Sequence, residues 1–511
     1  MKKKYLKPCY RAIFFIITFL SINLLSCVPN KDADNALNFK IDSTLSKKRI
    51  YEKFKIIIPT FLGNFQRNYY GDSAPVKLDL IWEHNLGTGK TRVGSVIKTW
   101  SGVGWTGQPL LVREGNQYFL TIGAYDYCLK KINAQTGELV WEYPYDDVIK
   151  GTGTLWKNPD NEDELNQFVI LQGSRQGFNN SLASDIIPSY RAISYFTGEE
   201  LWRFNSVRTD SYSRDVDGSA LLLNDTAYIG LENGIFMAFN PDYKKATIKD
   251  DILQPLVYFT DSLYKKSDKL KHGGNLVTES SCSILGNRIY ISSGSGHIFG
   301  FNLKTKKIDW DFYTGSDIDG SPVVTSDNCI IVTLEKQYIA GNGGVIKLDP
   351  SKEPKDAVVW YFPTGNNEFA TWSGGVIGSV GINDSYITDK NDKCIATFTG
   401  IDKNLYVVNH KEIDTTKLVL GFDNVTKYPT PKLILKVEAG PSISTPIIVQ
   451  NRLIAATYDA LYLYQFDKDL NFTLLDKKIY GAIEATPIVN KGKVYIACRN
   501  GNLYCLGSND N

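Results

Sequence analysis

The sequence predicts an all-β fold, built from one four-stranded unit that recurs along the chain and stacks around an axis. Three observations predict it. A cassette returns: KINAQTGELVW at 131–141, RAISYFTGEELW at 191–202 and, degraded, FNLKTKKIDW at 301–310, each with a Trp five positions after a Thr. Val/Ile/Tyr runs bounded by Gly, Asn and Asp occur throughout, while hardly any long segment carries a helical apolar period. Finally, 30 Tyr and 42 Gly against 2 Met favour twisted strands and turns over helices.

Each part of the unit has a local reason. Residues 129–133 read as a strand, 134–137 as a turn in which Gly137 supplies a positive φ, and 138–143 as the returning strand. Gly198 takes the same place in the second copy. A Trp is a large apolar body whose N–H needs a partner, which suits the layer between neighbouring sheets. Trp82, Trp141, Trp202, Trp310 and Trp360 are read in that role. One such sheet cannot bury both faces, whereas several stacked around an axis do so and leave only short edges.

The chain ends on three strands, at 484–489, 493–497 and 502–506. The fourth is expected from the other end, where residues 80–84 carry Trp82, so that pairing of the termini closes the ring. Seven further units lie between. The first two end near Trp141 and Trp202, and the third spans 217–260. The fourth and fifth end near Trp310 and Trp360, and the sixth and seventh centre on 394–409 and 453–466. The count is eight, with seven as the alternative because units three, six and seven lack the Trp. Inserts at 176–188, 245–274 and 335–344 are expected to decorate one face.

This cassette, a strand closed by a T-G turn and a following Trp strand, resembles the PQQ-like (quinoprotein-type) β-propeller repeat over about residues 80–507. The resemblance implies an eight-bladed β-propeller of four-stranded antiparallel blades. The stretch FLGNFQRNYYG at 61–71 resembles the lead-in that precedes the first strand of such propellers.

At the N-terminus Lys2, Lys3, Lys4, Lys7 and Arg11 precede an apolar stretch at 12–25, too short for a comfortable membrane span. Leu24-Leu25-Ser26-Cys27 resembles a bacterial lipobox. The expected organisation is a lipoprotein signal at 1–26, lipidation of Cys27, a polar tether at 27–50, a lead-in at 51–79, the propeller at 80–507 and a tail at 508–511. Acyl chains on Cys27 would hold the protein at a bilayer without a transmembrane helix. Val28, rather than Asp, follows the Cys, which by the lipoprotein resemblance implies the bacterial outer membrane. Removing the signal takes five of 57 basic residues and leaves 52 against 55 acidic ones, a balance of −3. No basic stripe remains for nucleic acid.

The remaining cysteines at 128, 282, 329, 394, 498 and 505 show no C-x-x-C spacing and read mostly as small core hydrophobes. Cys498 and Cys505, on adjacent strands, are the nearest pair for a disulfide in an oxidising compartment. Candidate chemistry gathers at the openings of the inner strands. D-G-S at 217–219, E-S-S at 279–281, D-G-S-P at 319–322 and E-A-T-P at 484–487 put Asp217, Glu279, Asp319 and Glu484 at one equivalent place. The favoured reading is that they cap strand-entry N–H groups; a ring that binds a cation or a basic partner is the alternative. Trp105 and Trp372, also at inner-strand openings, could stack on a planar ligand or simply fill the rim.

No metal site is expected. D-V-D-G at 215–218 and D-I-D-G at 317–320 lack the other ligand positions of a calcium loop. His84, His272, His297 and His410 have no metal spacing, and G-T-G-K-T at 87–91 lacks the first Gly and the helix of a phosphate loop. No catalytic residue can be assigned. The resemblance therefore implies a non-catalytic scaffold, similar to outer-membrane assembly lipoproteins of the BamB type. It would be a monomer, free of cofactor, that binds other envelope proteins. A PQQ- and calcium-dependent oxidoreductase and a surface glycan- or ligand-binding lipoprotein are the alternatives; quinoprotein dehydrogenases commonly carry an adjacent Cys-Cys disulfide, absent here.

Overall fold

The apolar runs of the sequence form eight four-stranded antiparallel blades around a common axis in the computed structural model, which describes residues 54–508 apart from 161, 162 and 390. The expected signal at 1–26, the expected lipidation of Cys27 and the expected tether at 27–50 lie outside the described residues. Blade 1 contains Leu110–Glu114, Gln117–Gly123, Cys128–Asn133 and Leu139–Pro144; blade 2 contains Thr154–Lys157, Phe168–Gly173, Tyr190–Ser194 and Glu200–Phe204. Blade 3 follows with Leu221–Leu223, Thr226–Gly230, Ile235–Asn240 and Leu256–Ser262, and blade 4 with Ser283–Leu285, Arg288–Ser292, His297–Asn302 and Lys307–Tyr313. Blade 5 is Val323–Val324, Ile330–Leu334, Gly344–Leu348 and Val358–Pro363; blade 6 is Gly381–Ile382, Ile395–Thr399, Asn404–Leu420 and Lys427–Glu438. Blade 7 is Ile447–Val449, Arg452–Ala456, Leu461–Phe466 and Phe472–Lys478. Blade 8 joins Ile488–Asn490, Lys493–Ala497 and Asn502–Gly507 to Asp79–Asn85 from the other end of the chain.

The Trp–Gly cassette works between blades rather than within one. Gly137 has φ +78°, and a Cβ there would lie 2.8 Å from the Trp82 ring; Gly198, φ +74°, stands in the same relation to Trp141 at 2.9 Å. Each of these two Trp rings therefore lies on the turn of the next blade, where only Gly lets it approach. Its N–H finds a partner there too. Trp82 donates to Ala134 O, Trp141 to Tyr195 O, Trp202 to Pro241 O, Trp310 to Lys352 O and Trp360 to His410 O. Trp82 thus joins the blade that closes the ring to blade 1.

The blades without Trp explain why seven was the alternative count. Phe259 of blade 3 and Leu435 of blade 6 occupy the register position that Trp202 and Trp310 hold, just before the bulge shared by the two outer strands. In blade 7 the position is Asp476, which accepts a hydrogen bond from Leu78 N at 2.8 Å. The insert expected at 245–274 needs correction. It contains the fourth strand of blade 3, flanked by the hairpin Thr247–Lys249/Ile252–Gln254 and the helix Lys266–His272, because a hydrophilic hairpin delays the strand beyond the usual spacing.

The lead-in does more than precede a strand. Phe54–Ile58 pairs with the Leu110–Glu114 edge of blade 1, and the chain then passes across the axis. There it satisfies inner-edge backbone groups of one blade after another: Leu155 N donates to Pro59 O, Ile284 N to Phe65 O, Val324 N to Gln66 O and Val489 N to Tyr70 O. Ile382 N donates to the Tyr70 hydroxyl. Arg67 is fully buried and donates to Cys282 O, Phe61 O and the Thr60 hydroxyl. Burial without an acidic partner pulls its guanidinium down to about 9, which leaves it charged at neutral pH.

Cys282, Cys329, Cys394, Cys498 and Cys505 are free thiols, so Cys498 and Cys505 do not pair; Cys498 instead lies against Tyr480 O and Ala482 O. No described helix is long and apolar enough to cross a membrane. Replacing Arg67 with Met should leave Cys282 O and Phe61 O without their donors and cost about 3 kcal/mol. Urea unfolding followed by Trp fluorescence measures this, and an unshifted midpoint would contradict the central role of the segment.

Candidate functional site

The inner strands open on one frame repeated around the axis. It reads Thr106-Gly107-Gln108, Lys150-Gly151-Thr152, Asp217-Gly218-Ser219, Glu279-Ser280-Ser281, Asp319-Gly320-Ser321, Ile377-Gly378-Ser379, Ile443-Ser444-Thr445 and Glu484-Ala485-Thr486. The hydroxyls of this frame form a belt. Ser219 N donates to Ser281 Oγ, Ser281 N to Ser321 Oγ, Ser321 N to Ser379 Oγ and Ser379 N to Thr445 Oγ1, at 2.8–2.9 Å. The strand-entry amides are thus satisfied by the next blade's hydroxyl. This corrects the capping expectation: none of the backbone N–H bonds described goes to the carboxylates of Asp217, Glu279, Asp319 or Glu484, which are left to the funnel above the belt.

Five of the six residues singled out from the sequence meet in one axial cavity of about 480 Å³: Glu279, Asp319, Glu484, Trp105 and Trp372. The sixth, Asp217, lies beneath Lys150, which lines the same cavity. Sequence reasoning missed Lys150 and Arg499. It also missed Glu232 and Glu335, which enter from the loops after the second strands of blades 3 and 5, while Asp317, read only as part of an incomplete calcium loop, stands beside Asp319. The signal for Lys150 is its frame, K-G-T aligned with D-G-S, in which a base stands at the position the acids hold elsewhere. A second cavity of about 750 Å³, walled partly by the 176–188 insert, shares Trp100, Lys150, Tyr212 and Glu279 with the first.

The funnel has two unlike sides. On one, Lys150 Nζ lies 2.7 Å from Asp217, 3.1 Å from Glu232, 3.2 Å from Glu279 and 3.9 Å from Asp215. Arg175 pairs with Asp215 at 2.7 Å. Burial works to lower the Lys150 ammonium, but Asp217, Glu232 and Glu279 more than reverse it and hold it well above its usual value. Next to this group stand Asp317, Asp319 and Glu335, for which no ion pair is described. Burial, reinforced by neighbouring carboxylates, pushes Asp317 up to about 7, Glu335 up to about 9 and Asp319 well above the carboxylate range. Asp317 Oδ2 accepts from Asn275 at 2.5 Å, whereas its buried Oδ1 has no partner.

The opposite side is apolar. Ile377 and Ile443 hold the frame position in blades 6 and 7 and pack with Ile401. Trp105, Phe369, Trp372 and Tyr458 cover them. Trp372 belongs to the hairpin Asn366–Phe369/Trp372–Gly374 and lies stacked on Phe369, while Trp105 sits in the loop before Thr106; both are half-buried. Between the two sides, Arg499 holds both oxygens of Glu484 at 2.8 Å, and Tyr458 donates to the same carboxylate. A pocket of this kind offers excess negative charge to one end of a ligand and an aromatic wall to the other.

No family model and no curated protein sequence matches the chain. Solved structures do resemble it in fold. The quinohemoprotein alcohol dehydrogenase of Comamonas testosteroni aligns with TM-score 0.51 and 13% identity over 88% of this chain and 81% of its own. A europium-containing methanol dehydrogenase aligns with TM-score 0.52 and 11% identity over 88% and 98%. Quinohemoprotein alcohol dehydrogenase ADHIIG of Pseudomonas putida HK5 aligns with TM-score 0.52 and 10% identity over 88% and 76%. At such identity the likeness is one of fold, a quinoprotein-like propeller.

A polyanionic quinone fits this funnel poorly. Each buried cation is already engaged, Lys150 by its carboxylates, Arg175 by Asp215 and Arg499 by Glu484. The described cysteines form no adjacent disulfide.

The raised acids make stability depend on pH. An acid whose folded pKa exceeds its unfolded value binds more protons when folded, so stability falls as pH rises between the two. Here the decline should run from the ordinary carboxylate range up through about 7 for Asp317 and about 9 for Glu335. Denaturation midpoints across that range should fall, and Asp317→Asn should remove about 2–4 kcal/mol of the decline. A flat wild-type profile would contradict the assignment.

Proposed function

We propose that this chain is a non-catalytic binding propeller of the cell envelope, anchored through Cys27, whose funnel takes basic side chains of a protein partner. One observation carries the reading. Asp317, Asp319 and Glu335 lie in the axial cavity without a described counter-ion, and Trp105 and Trp372 line the same cavity. An ammonium or guanidinium group would neutralise the acids, while its methylene stem or an adjacent apolar residue would lie on the aromatic wall. The lipobox-like N-terminus and the resemblance to assembly lipoproteins of the BamB type support an envelope scaffold, with outer-membrane protein assembly as the setting.

Binding of a cation would displace protons from Asp317 and Glu335, so affinity should increase with pH and decrease with salt. Titration calorimetry with a Lys/Arg peptide carrying one aromatic residue should give affinity near the micromolar range, and Asp319→Asn or Trp372→Ala should each weaken it about tenfold. Equal binding of an acidic peptide, or indifference to both substitutions, would reject the reading. Crosslinking in intact cells then identifies the partner. The oxidoreductase alternative rests on fold likeness alone; uptake of PQQ with calcium, together with dye reduction by an alcohol, would replace the binding reading.

A further inference from the structure

Asp217, Glu232 and Glu279 reach one point from three separate loops. Asp217 precedes the first strand of blade 3, Glu232 follows that blade's second strand, and Glu279 precedes the first strand of blade 4. One oxygen of each lies within 4.8 Å of the others. Oxygens this close together can share one ion at the oxygen–calcium distance of roughly 2.4 Å. The group is also built to hold something. Asp217 has a fully buried side chain, and neither of its oxygens accepts a hydrogen bond; only the Lys150 ion contact faces it. Ser213 Oγ donates to Glu232 Oε2 at 2.6 Å and fixes the carboxylate from behind.

We propose that these three carboxylates form a divalent-cation cage and that the chain fills it with its own ammonium group, Lys150. The ammonium meets all three carboxylates: Lys150 Nζ donates to Glu232 at 3.1 Å and to Glu279 at 3.2 Å, and lies 2.7 Å from Asp217 as an ion contact. Lys150 comes from the loop between blades 1 and 2, so its side chain ties that loop to blades 3 and 4. A resident ammonium supplies at every physiological pH, and without any metal supply, the charge that holds these loops together. Calcium would have to displace a tethered group, and the funnel wall is complete without it. The cage is a separate matter from whichever partner enters the funnel, since Asp317, Asp319 and Glu335 lie outside it.

The test compares the intact protein with Lys150→Met and with Lys150→Met/Asp217→Asn, using Ca²⁺ and Tb³⁺ as probes. Trp100 and Tyr212 line the same cavity and can sensitise Tb³⁺ emission. The wild type should show the same thermal midpoint in chelator and in millimolar Ca²⁺. Lys150→Met should be destabilised in chelator and recover with Ca²⁺, and should bind Tb³⁺ at least ~tenfold more tightly than wild type, a gain that Asp217→Asn abolishes. Two results overturn the proposal. Either Lys150→Met gains no Asp217-dependent Tb³⁺ or Ca²⁺ response, or the wild type already binds the ion as tightly through Asp217. Should Lys150→Met fail to fold, Lys150→Gln expressed with Ca²⁺ takes its place. Failure of both to fold in Ca²⁺ counts against the cage, because a cation site must accept a substitute ion.

Discussion

An inner strand of a propeller has one paired edge and one facing the axis, and the backbone groups on that free edge must find partners. The segment around Arg67 meets much of this requirement. Its backbone and side chains accept from the inner strands of blades 2, 4, 5, 6 and 8 and extend the sheet of blade 1. Arg67 fixes the crossing, since its guanidinium, buried without an acid, is held by carbonyls from its own segment and from Cys282 before blade 4. Unpaired N–H and C=O groups inside the ring would each cost free energy comparable to a lost hydrogen bond. With this end of the axis filled, the other end is free to open as a funnel.

The hydroxyl belt has a similar consequence for the site. Because Ser281, Ser321, Ser379 and Thr445 take the strand-entry amides, the residue two positions before each hydroxyl is released from backbone duty. Its identity can then vary around the ring, from Lys150 through Asp217, Glu279 and Asp319 to Ile377 and Ile443. The same backbone frame therefore presents acids on one arc and hydrocarbon on another. The funnel is amphipathic because a constant scaffold carries a variable position.

Much of the fold was legible in local pattern. The Thr–Trp spacing, the Gly at 137 and 198, and the split last blade are short-range or terminal signals, and each corresponds to an observed contact between neighbouring blades. Blades 3, 6 and 7 were harder to see because Phe259, Leu435 and Asp476 stand where the Trp would be, so their place is fixed by pairing rather than by a distinctive residue. At the site, the equivalence of Asp217, Glu279, Asp319 and Glu484 could be read from the frame. Their freedom from the backbone could not, since the hydroxyls that replace them as acceptors come from the neighbouring blade.

The sequence by itself determined the repeat, its all-β character, the closure through Trp82 and an acidic ring near the axis. These follow from side-chain alternation, turn chemistry and, at Trp82 and Trp141, the need for a Gly beneath the ring. Only the tertiary structure decided that Lys150 would sit among Asp217, Glu232 and Glu279, that Arg67 would lie against Cys282 O, and that acids of blades 4 and 5 would share one cavity with Trp105 and Trp372. Arg67 and Cys282 are 215 positions apart, and Lys150 and Glu279 are 129 apart. Contacts over such separations arise from the closing of the ring, which brings every blade's inner edge to one axis whatever its distance along the chain.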